Sequence, residues 1–333
     1  MRKNEENKGI IGCKENHMKK FFFFSVALFL LCQGCAFVSL GLMGPTRPLV
    51  EKELEGKGRD KILIIDISGA ITSDKPSGLS LEAQPESQVA RIKEELDKAL
   101  EDKKIRAVIL RINSPGGTVT ACDIIYREII RFKQKKGVFV AACLMDTAAS
   151  GGYYIANAAD TIIAHPTTVT GSIGVIAMKF NFKGLMDKLG VEEDSVKSGD
   201  KKDIFSCWRG MTEEENKIMQ GVIDSLYGQF LQVVCEGRKG LSRDEIRTLA
   251  DGRVYTAWQA RDNKLIDNIG YLDDVIDLAK NKTGIREARV ITYHRPQQYK
   301  NNIYSQSSIN IFGLGQNQLL EHMPVQFMYL WNP

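Results

Sequence analysis

Apolar runs without interruption alternate with stretches of helical period through the middle of the chain. Residues 61–71, KILIIDISGAI, read as a buried strand that ends at Gly69. Residues 87–100 follow with Val89, Ile92, Leu96 and Leu100 at helical spacing, an apolar stripe on an otherwise charged helix. Residues 107–112, AVILRI, give a second strand, 118–133 a second helix and 138–144 a third strand. Strand, helix and strand in this order predict parallel pairing with right-handed crossovers, hence an α/β class.

Further on, residues 161–180 predict two short strands around a turn, 183–189 a short helix, and 195–208 a polar loop with lysines. Thr212 with Glu215 forms a capping box that opens a long helix to about Gly237, and Ser242 with Glu245 repeats the device. Residues 251–279 continue as strand, helix, turn and helix, and 288–293 make a last strand. These spans define a folded domain over 61–295. Residues 44–60, with GPTRP and a charged run, read as a linker. The tail, 296–333, is rich in Asn and Gln and predicts no fold; a disordered end and a segment docked on a partner protomer both suit it.

Ahead of the linker, residues 1–17 are polar and aperiodic, an extension that is translated only if Met18 is not the start. Met18-Lys19-Lys20 opens residues 18–43 as a signal n-region, and residues 21–43 carry no charge, a length that can span a bilayer. Gly34-Cys35 resembles a lipoprotein cleavage site, with Cys32 where leucine is preferred. Lipidation at Cys35, an uncleaved signal anchor and a simple buried helix are the three readings. The first two make the membrane a partner and place the remainder outside the cytoplasm, with Lys19 and Lys20 inside.

Composition narrows this only a little. The 333 residues are 43% hydrophobic and 26% charged, an ordinary globular balance, and a net charge of +4 with intermixed signs requires no nucleic-acid partner. The seven cysteines match no metal-binding or disulfide spacing, and Cys122 and Cys143 fall in apolar patterns as core residues.

Chemistry concentrates in residues 146–156, DTAASGGYYIA. A strand runs into Ser150, two glycines follow, and then a helical stretch. Such a junction presents a hydroxyl at the mouth of a sheet, with the Gly151 N–H beside it and a helix N-terminus that favours negative charge. The competing reading is a serine that merely caps the helix. Pro115-Gly116-Gly117 ends another strand; the glycines make a tight turn, or the Gly117 N–H joins that of Gly151 as an oxyanion hole.

A serine nucleophile needs a base. His17, His294 and His322 lie far from Ser150 in sequence, and His165, which with Asp160 or Asp146 would complete a triad, directly precedes Pro166 in a turn that suits a surface or packing role. Lysine is the alternative, and Lys201 and Lys202 stand together in SGDKKD, a stretch that otherwise reads as a solvated loop.

DTAASGGYYIA, NSPGG, TGSIGV, KSGDKKDI and ADGRVYTAWQA, taken together along residues 61–279, resemble the signal peptide peptidase A family of serine proteases, also called protease IV, in its short single-domain form. The resemblance implies a Ser-Lys dyad on a Clp protease/crotonase-like fold, with helices packed around a mostly parallel sheet. Matched motif by motif, Ser150 falls on the nucleophile, Lys202 on the general base, Gly117 and Gly151 on the oxyanion donors, and Ser172 on the residue that orients the base. A register slip of one would exchange Lys201 and Lys202. No metal or cofactor is implied. The expected partners are peptides, cleaved signal peptides above all, and further copies of the chain in a ring, in which the base comes from a neighbour. Two other classes compete: a crotonase-like acyl-CoA enzyme, which uses similar glycine donors, and a catalytically silent envelope scaffold.

Overall fold

Strict alternation divides the strands of the central sheet between two cores. Ile62 and Ile64 pack with Ala107, Ile109, Ala141 and Cys143 on one face, while Leu63, Ile65 and Ile67 pack with Val108, Leu110, Ile112, Val140 and Leu144 on the other. A strand buried on both faces reads as a continuous apolar run, which is why the sequence showed these segments plainly. The computed structural model describes residues 48–73, 87–295 and 328–331.

The main sheet runs in the order β1 (Val50–Gly56), β10 (Ala288–His294), β2 (Asp60–Ser68), β3 (Ile105–Ser114), β5 (Phe139–Ala149), β6 (Thr161–Ala164) and β9 (Asn268–Ile269). Pairing is parallel from β10 to β9 and antiparallel only at the β1 edge. Beyond β6, the far half of β5 pairs with β7 (Val169–Gly171), which in turn pairs antiparallel with β8 (Val254–Thr256). A separate two-stranded sheet joins β4 (Gly116–Thr118) to β11 (Met328–Leu330). The larger core receives α1 (Gln88–Glu101), α2 (Val119–Lys136), α3 (Gly151–Ala156) and the C-terminal half of α5 (Glu213–Gly237); α8 (Leu272–Thr283) covers the other. A helix α4 (Lys183–Leu189), α6 (Arg243–Leu249) and α7 (Ala257–Asp262) complete the described elements. The result is the expected α/β fold with helices around a mostly parallel sheet.

Local chemistry places the helix ends as read. Thr212 and Glu215 exchange both bonds of a capping box at α5, as Ser242 and Glu245 do at α6. Thr256 with Gln259 adds a third box that the sequence reading did not single out. Cys122 and Cys143 are buried free thiols, as their apolar settings indicated.

Two expectations change. Residues 50–56, read as linker, form β1 with Val50 opposite His294 and Gly56 opposite Arg289, so the ordered domain begins ahead of residue 61. The strand escapes notice because it is an edge: five of its seven residues are exposed, and its charges are what an edge strand needs against stray pairing. Within the tail, 328–331 docks on this chain's own β4. The leader, residues 18–43 with Cys35, and most of 296–333 lie outside the described residues. Among the described residues, no helix is long and apolar enough to cross a membrane.

Candidate active site

The parallel strands deliver their carboxyl ends to one edge of the sheet, the usual place for a site in an open α/β fold. At the end of β3, the Ser114 hydroxyl donates to the Gly69 carbonyl (2.6 Å) and accepts from the Gly116 N–H (3.0 Å). Ile71 and β4 then exchange bonds: Ile71 N–H donates to Gly116 O and Thr118 N–H to Ile71 O, each at 2.9 Å. Gly116 sits at φ 110°, a conformation that side chains rarely adopt.

β5 continues five residues beyond its pairing with β6, and after its end Ser150 adopts φ 51° and ψ −113°. A non-glycine residue at positive φ persists only where its surroundings over-determine it. Here the Ser150 N–H donates to Gly171 O (2.7 Å), and Ser150 O accepts from Tyr154 N–H (2.8 Å) as the first bond of α3. The side chain makes no capping hydrogen bond, so the hydroxyl is not spent on starting the helix. A Cβ on Gly151 would stand 3.1 Å from the Gly117 nitrogen and 2.4 Å from Cys122 Sγ. The two expected donor glycines are therefore neighbours, one from each strand end, beside Ser150.

Ser172 joins them. It directly follows Gly171, is buried, has φ 50°, and donates its N–H to Arg253 O (2.8 Å). Ser150, Gly117, Gly151 and Ser172 thus come together from β5, β4 and the end of β7.

The lysines do not join this group within the chain. Their loop is fastened to the start of α5: Arg209 bonds both Asp203 and Glu215, Lys197 bonds Asp203 (2.6 Å), and Lys201 bonds Glu214 (2.6 Å). Arg209, with Lys197 second, holds the Asp203 carboxyl well below the usual carboxylate range, and Arg209 also brings Glu215 down to about 2. Lys202 donates its backbone N–H to Gly199 O (3.0 Å) and exposes its side chain. Among the described residues its ammonium has no ion-pair partner and no bond to Ser150. Lys179, which the sequence reading passed over, donates to the Ile204 and Arg209 carbonyls at 3.3 and 3.0 Å. Burial, followed by the nearby Arg209, lowers its pKa.

His165 supplies no base for Ser150. Its backbone N–H donates to Leu144 O, six residues upstream of Ser150 on β5, its ring Nδ1 hydrogen-bonds with the Thr167 hydroxyl (2.9 Å), and the ring packs edge-on against Tyr271 at 4.8 Å. Asp160 accepts from the Val140 N–H and pairs with Lys133, while Asp146 faces Asn113. The packing role expected for His165 is the one it has.

Sequence reading also missed an aromatic pocket beside β4. Tyr154, Phe230 and Tyr329 are fully buried together, with Tyr154 and Tyr329 stacked at 5.0 Å. The only hint was the Tyr-Tyr pair within residues 146–156; Phe230 and Tyr329 come from distant parts of the chain.

Known proteins agree with this architecture. The family model for peptidase family S49 matches residues 131–286, and that for Clp protease matches residues 75–170. A putative signal peptide peptidase SppA of Enterococcus faecium is 39% identical over 239 residues, covering 72% of this chain and 68% of the relative. A putative protease of Synechocystis is 37% identical over 232 residues, 70% of this chain and 78% of the relative. Protease 4 of Haemophilus influenzae is 35% identical over 228 residues, but the match spans only 36% of its length. On matches of this identity and coverage, the chain belongs to peptidase family S49, the signal peptide peptidase A family, and is a serine protease.

Proposed function

We propose that the chain is a membrane-associated endopeptidase that uses a Ser150–Lys202 dyad to cleave remnant signal peptides and other apolar, extended peptides. The observation that carries this reading is the convergence of Ser150, at positive φ and free of a capping role, with the backbone nitrogens of Gly117 and Gly151. The chemistry runs as acyl transfer. Neutral Lys202 accepts the Ser150 proton as the oxygen attacks a peptide carbonyl, and the Gly117 and Gly151 N–H groups hold the oxyanion. The lysinium protonates the departing amine; a water activated by the same lysine then resolves the acyl-enzyme. Ser172 orients the lysine.

A Lys202 that is exposed and unpaired among the described residues suits a base that serves the Ser150 of a neighbouring copy in a ring. Lys201, tied to Glu214, suits the part of a loop anchor. Exposed Ile176, which bridges to Met328 of the strand paired with β4, favours apolar substrates. The apolar leader with Cys35 favours attachment to the bacterial cell envelope, the catalytic domain lying outside the cytoplasm.

Hydrolysis of a fluorogenic signal peptide by the full chain tests the dyad. Ser150→Ala and Lys202→Ala should each abolish turnover, and Lys201→Ala should leave most of it. Mixing the two inactive variants should restore activity if the base crosses between copies. Full activity in Lys202→Ala would sink the dyad as assigned. Detergent-phase partitioning that is lost in Cys35→Ser would mark Cys35 as the lipid anchor; retention would favour the uncleaved helix.

A further inference from the structure

The ladder between β3 and β5 breaks just before the site. Ile112 lies opposite Leu144, but Ser114 lies opposite Ala148, so two residues of advance along β3 match four along β5. An insertion of two keeps the parity of the strand, and Leu144 and Ala148 both face the larger core. Its effect is on position. A strand advances about 3.3 Å per residue, so without the bulge Ser150 would stand roughly 7 Å farther along the ladder, out of reach of the Gly117 nitrogen. Bulges beside active sites re-aim side chains in this way.

Side chains clasp the bulge from both flanking strands. On the β3 side, Asn113 Oδ1 accepts from the Thr147 N–H (3.1 Å), and Asn113 Nδ2 donates to Asp146 (3.4 Å). On the β7 side, the fully buried Thr168 hydroxyl shares its one proton between Met145 O (2.6 Å) and Leu144 O (2.9 Å). Thr170, also fully buried, donates to Ala148 O (2.6 Å) just beyond. Met145, Asp146 and Thr147 are thus each held by a neighbouring strand's side chain. The clasp has anchors of its own: Thr168 donates its N–H to His165 O (2.9 Å), Thr168 O accepts from the Ala257 N–H of α7 (3.0 Å), and Asn113 O accepts from the Gly69 N–H (3.0 Å).

We propose that Thr168 and Asn113 are positioning residues for the nucleophile: they fix the two-residue bulge of β5 that draws Ser150 back beside Gly117 and Gly151. The assignment rests on Ser150 acting as described above. Both residues work through the chain at 144–147, and neither takes a chemical step. Released from the clasp, the extra residues redistribute along the ladder, and the Ser150 hydroxyl shifts against the two donor nitrogens. A misplacement of about 1 Å can cost on the order of a hundredfold in rate. Such an error acts on the chemical step and leaves the hold on the peptide largely as it was.

Hydrolysis of a fluorogenic signal peptide by the full chain, read beside the melting temperature, tests the clasp. Thr168→Val nearly keeps the volume and removes the donor; Thr168→Ser keeps the donor and removes a methyl group. Both should melt below wild type, but only Thr168→Val should lose activity, with kcat down about tenfold to a hundredfold and KM within about twofold. Asn113→Ala should lower kcat in the same manner, which keeps the test open should Thr168→Val not fold. Equal losses of kcat in Thr168→Ser and Thr168→Val, or a wild-type kcat in either Thr168→Val or Asn113→Ala, overturn the clasp. Ser150→Ala, run alongside, separates the clasp from the site. If it is inactive while the clasp variants keep full kcat, the clasp alone fails; if it cuts as well as wild type, the nucleophile is wrong and the clasp falls with it.

Discussion

The backbone N–H of Ser150 donates to the carbonyl of Gly171 at 2.7 Å, which ties the turn after β5 to the turn after β7. Ser172, the next residue, shares with Ser150 a positive φ, 50° against 51°. Each such residue carries strain on the order of 1 kcal/mol or more, so the surrounding bonds must hold both. Two strained serines braced through a single hydrogen bond make a rigid platform, and rigidity is what positioned catalysis requires.

Substitution at Ser172 separates backbone from hydroxyl. Ser172→Gly relieves the strain and should melt at or above the wild-type temperature, while Ser172→Ala should melt close to wild type. Both remove the hydroxyl that the proposed mechanism uses to orient Lys202, and kcat should fall by about tenfold to a hundredfold in each, the worth of one bond to a lysine that gains charge as it takes the Ser150 proton. Full activity in Ser172→Ala, with the fold intact by melting, would remove the hydroxyl from the mechanism.

How much of this was legible depended on where each signal sits. Residues 61–71 and 107–112 announced themselves because strands buried on both faces show no regular alternation of polar with apolar positions. The serine junction and the capping boxes were legible because their chemistry is local. β1 was hidden by its charges, and β11 is three residues in an Asn- and Gln-rich tail, too short for any period to register. The Tyr154–Phe230–Tyr329 cluster is assembled by tertiary packing from three distant segments, and only coordinates can bring those together. Lys179 was missed for the same reason: it answers to the carbonyls of Ile204 and Arg209, more than twenty residues away.

Gly151 has no room for a methyl group. A Cβ there would meet Cys122 Sγ at 2.4 Å, so Gly151→Ala should destabilise the fold by about 1–3 kcal/mol through overpacking. Cys122→Ala withdraws the sulfur. The double variant should therefore recover about 1 kcal/mol relative to the sum of the single changes, measured by denaturant unfolding. Strict additivity would mean that the Gly116 and Gly117 backbones, at 3.1 Å, set the limit instead.

Arg209 gives the lysine loop a sign-definite pH dependence. It depresses both Asp203 and Glu215, the latter from 4.5 to about 2. A depressed carboxyl contributes stability that is complete above its unfolded value and is lost as pH falls through its folded value. The melting-temperature gap between wild type and Arg209→Ala should therefore be flat above about pH 5 and close progressively towards about pH 2. A gap that persists undiminished at pH 2 would show that Arg209 acts through packing, not charge.

Tyr329 makes the final prediction kinetic. β11 is seated between β4 and Ile176, so a peptide that binds beside Gly117 as proposed would compete with the tail for the edge of β4, and its apparent affinity would be reduced by the fraction of chains in which that edge is open. Tyr329→Ala removes a fully buried ring and its bond to Leu226 O, interactions worth about 2 kcal/mol against docking. Competition acts on binding and not on the chemical step. KM for an added peptide should thus fall by roughly tenfold or more while kcat stays near wild type. Tyr329→Phe, which keeps the ring, should lower KM by a smaller factor. Initial rates across peptide concentration decide the matter: a KM that does not move in Tyr329→Ala would mean the strand has already left the groove during turnover, whereas a fall in kcat would mean the docked tail helps to build the site it occupies.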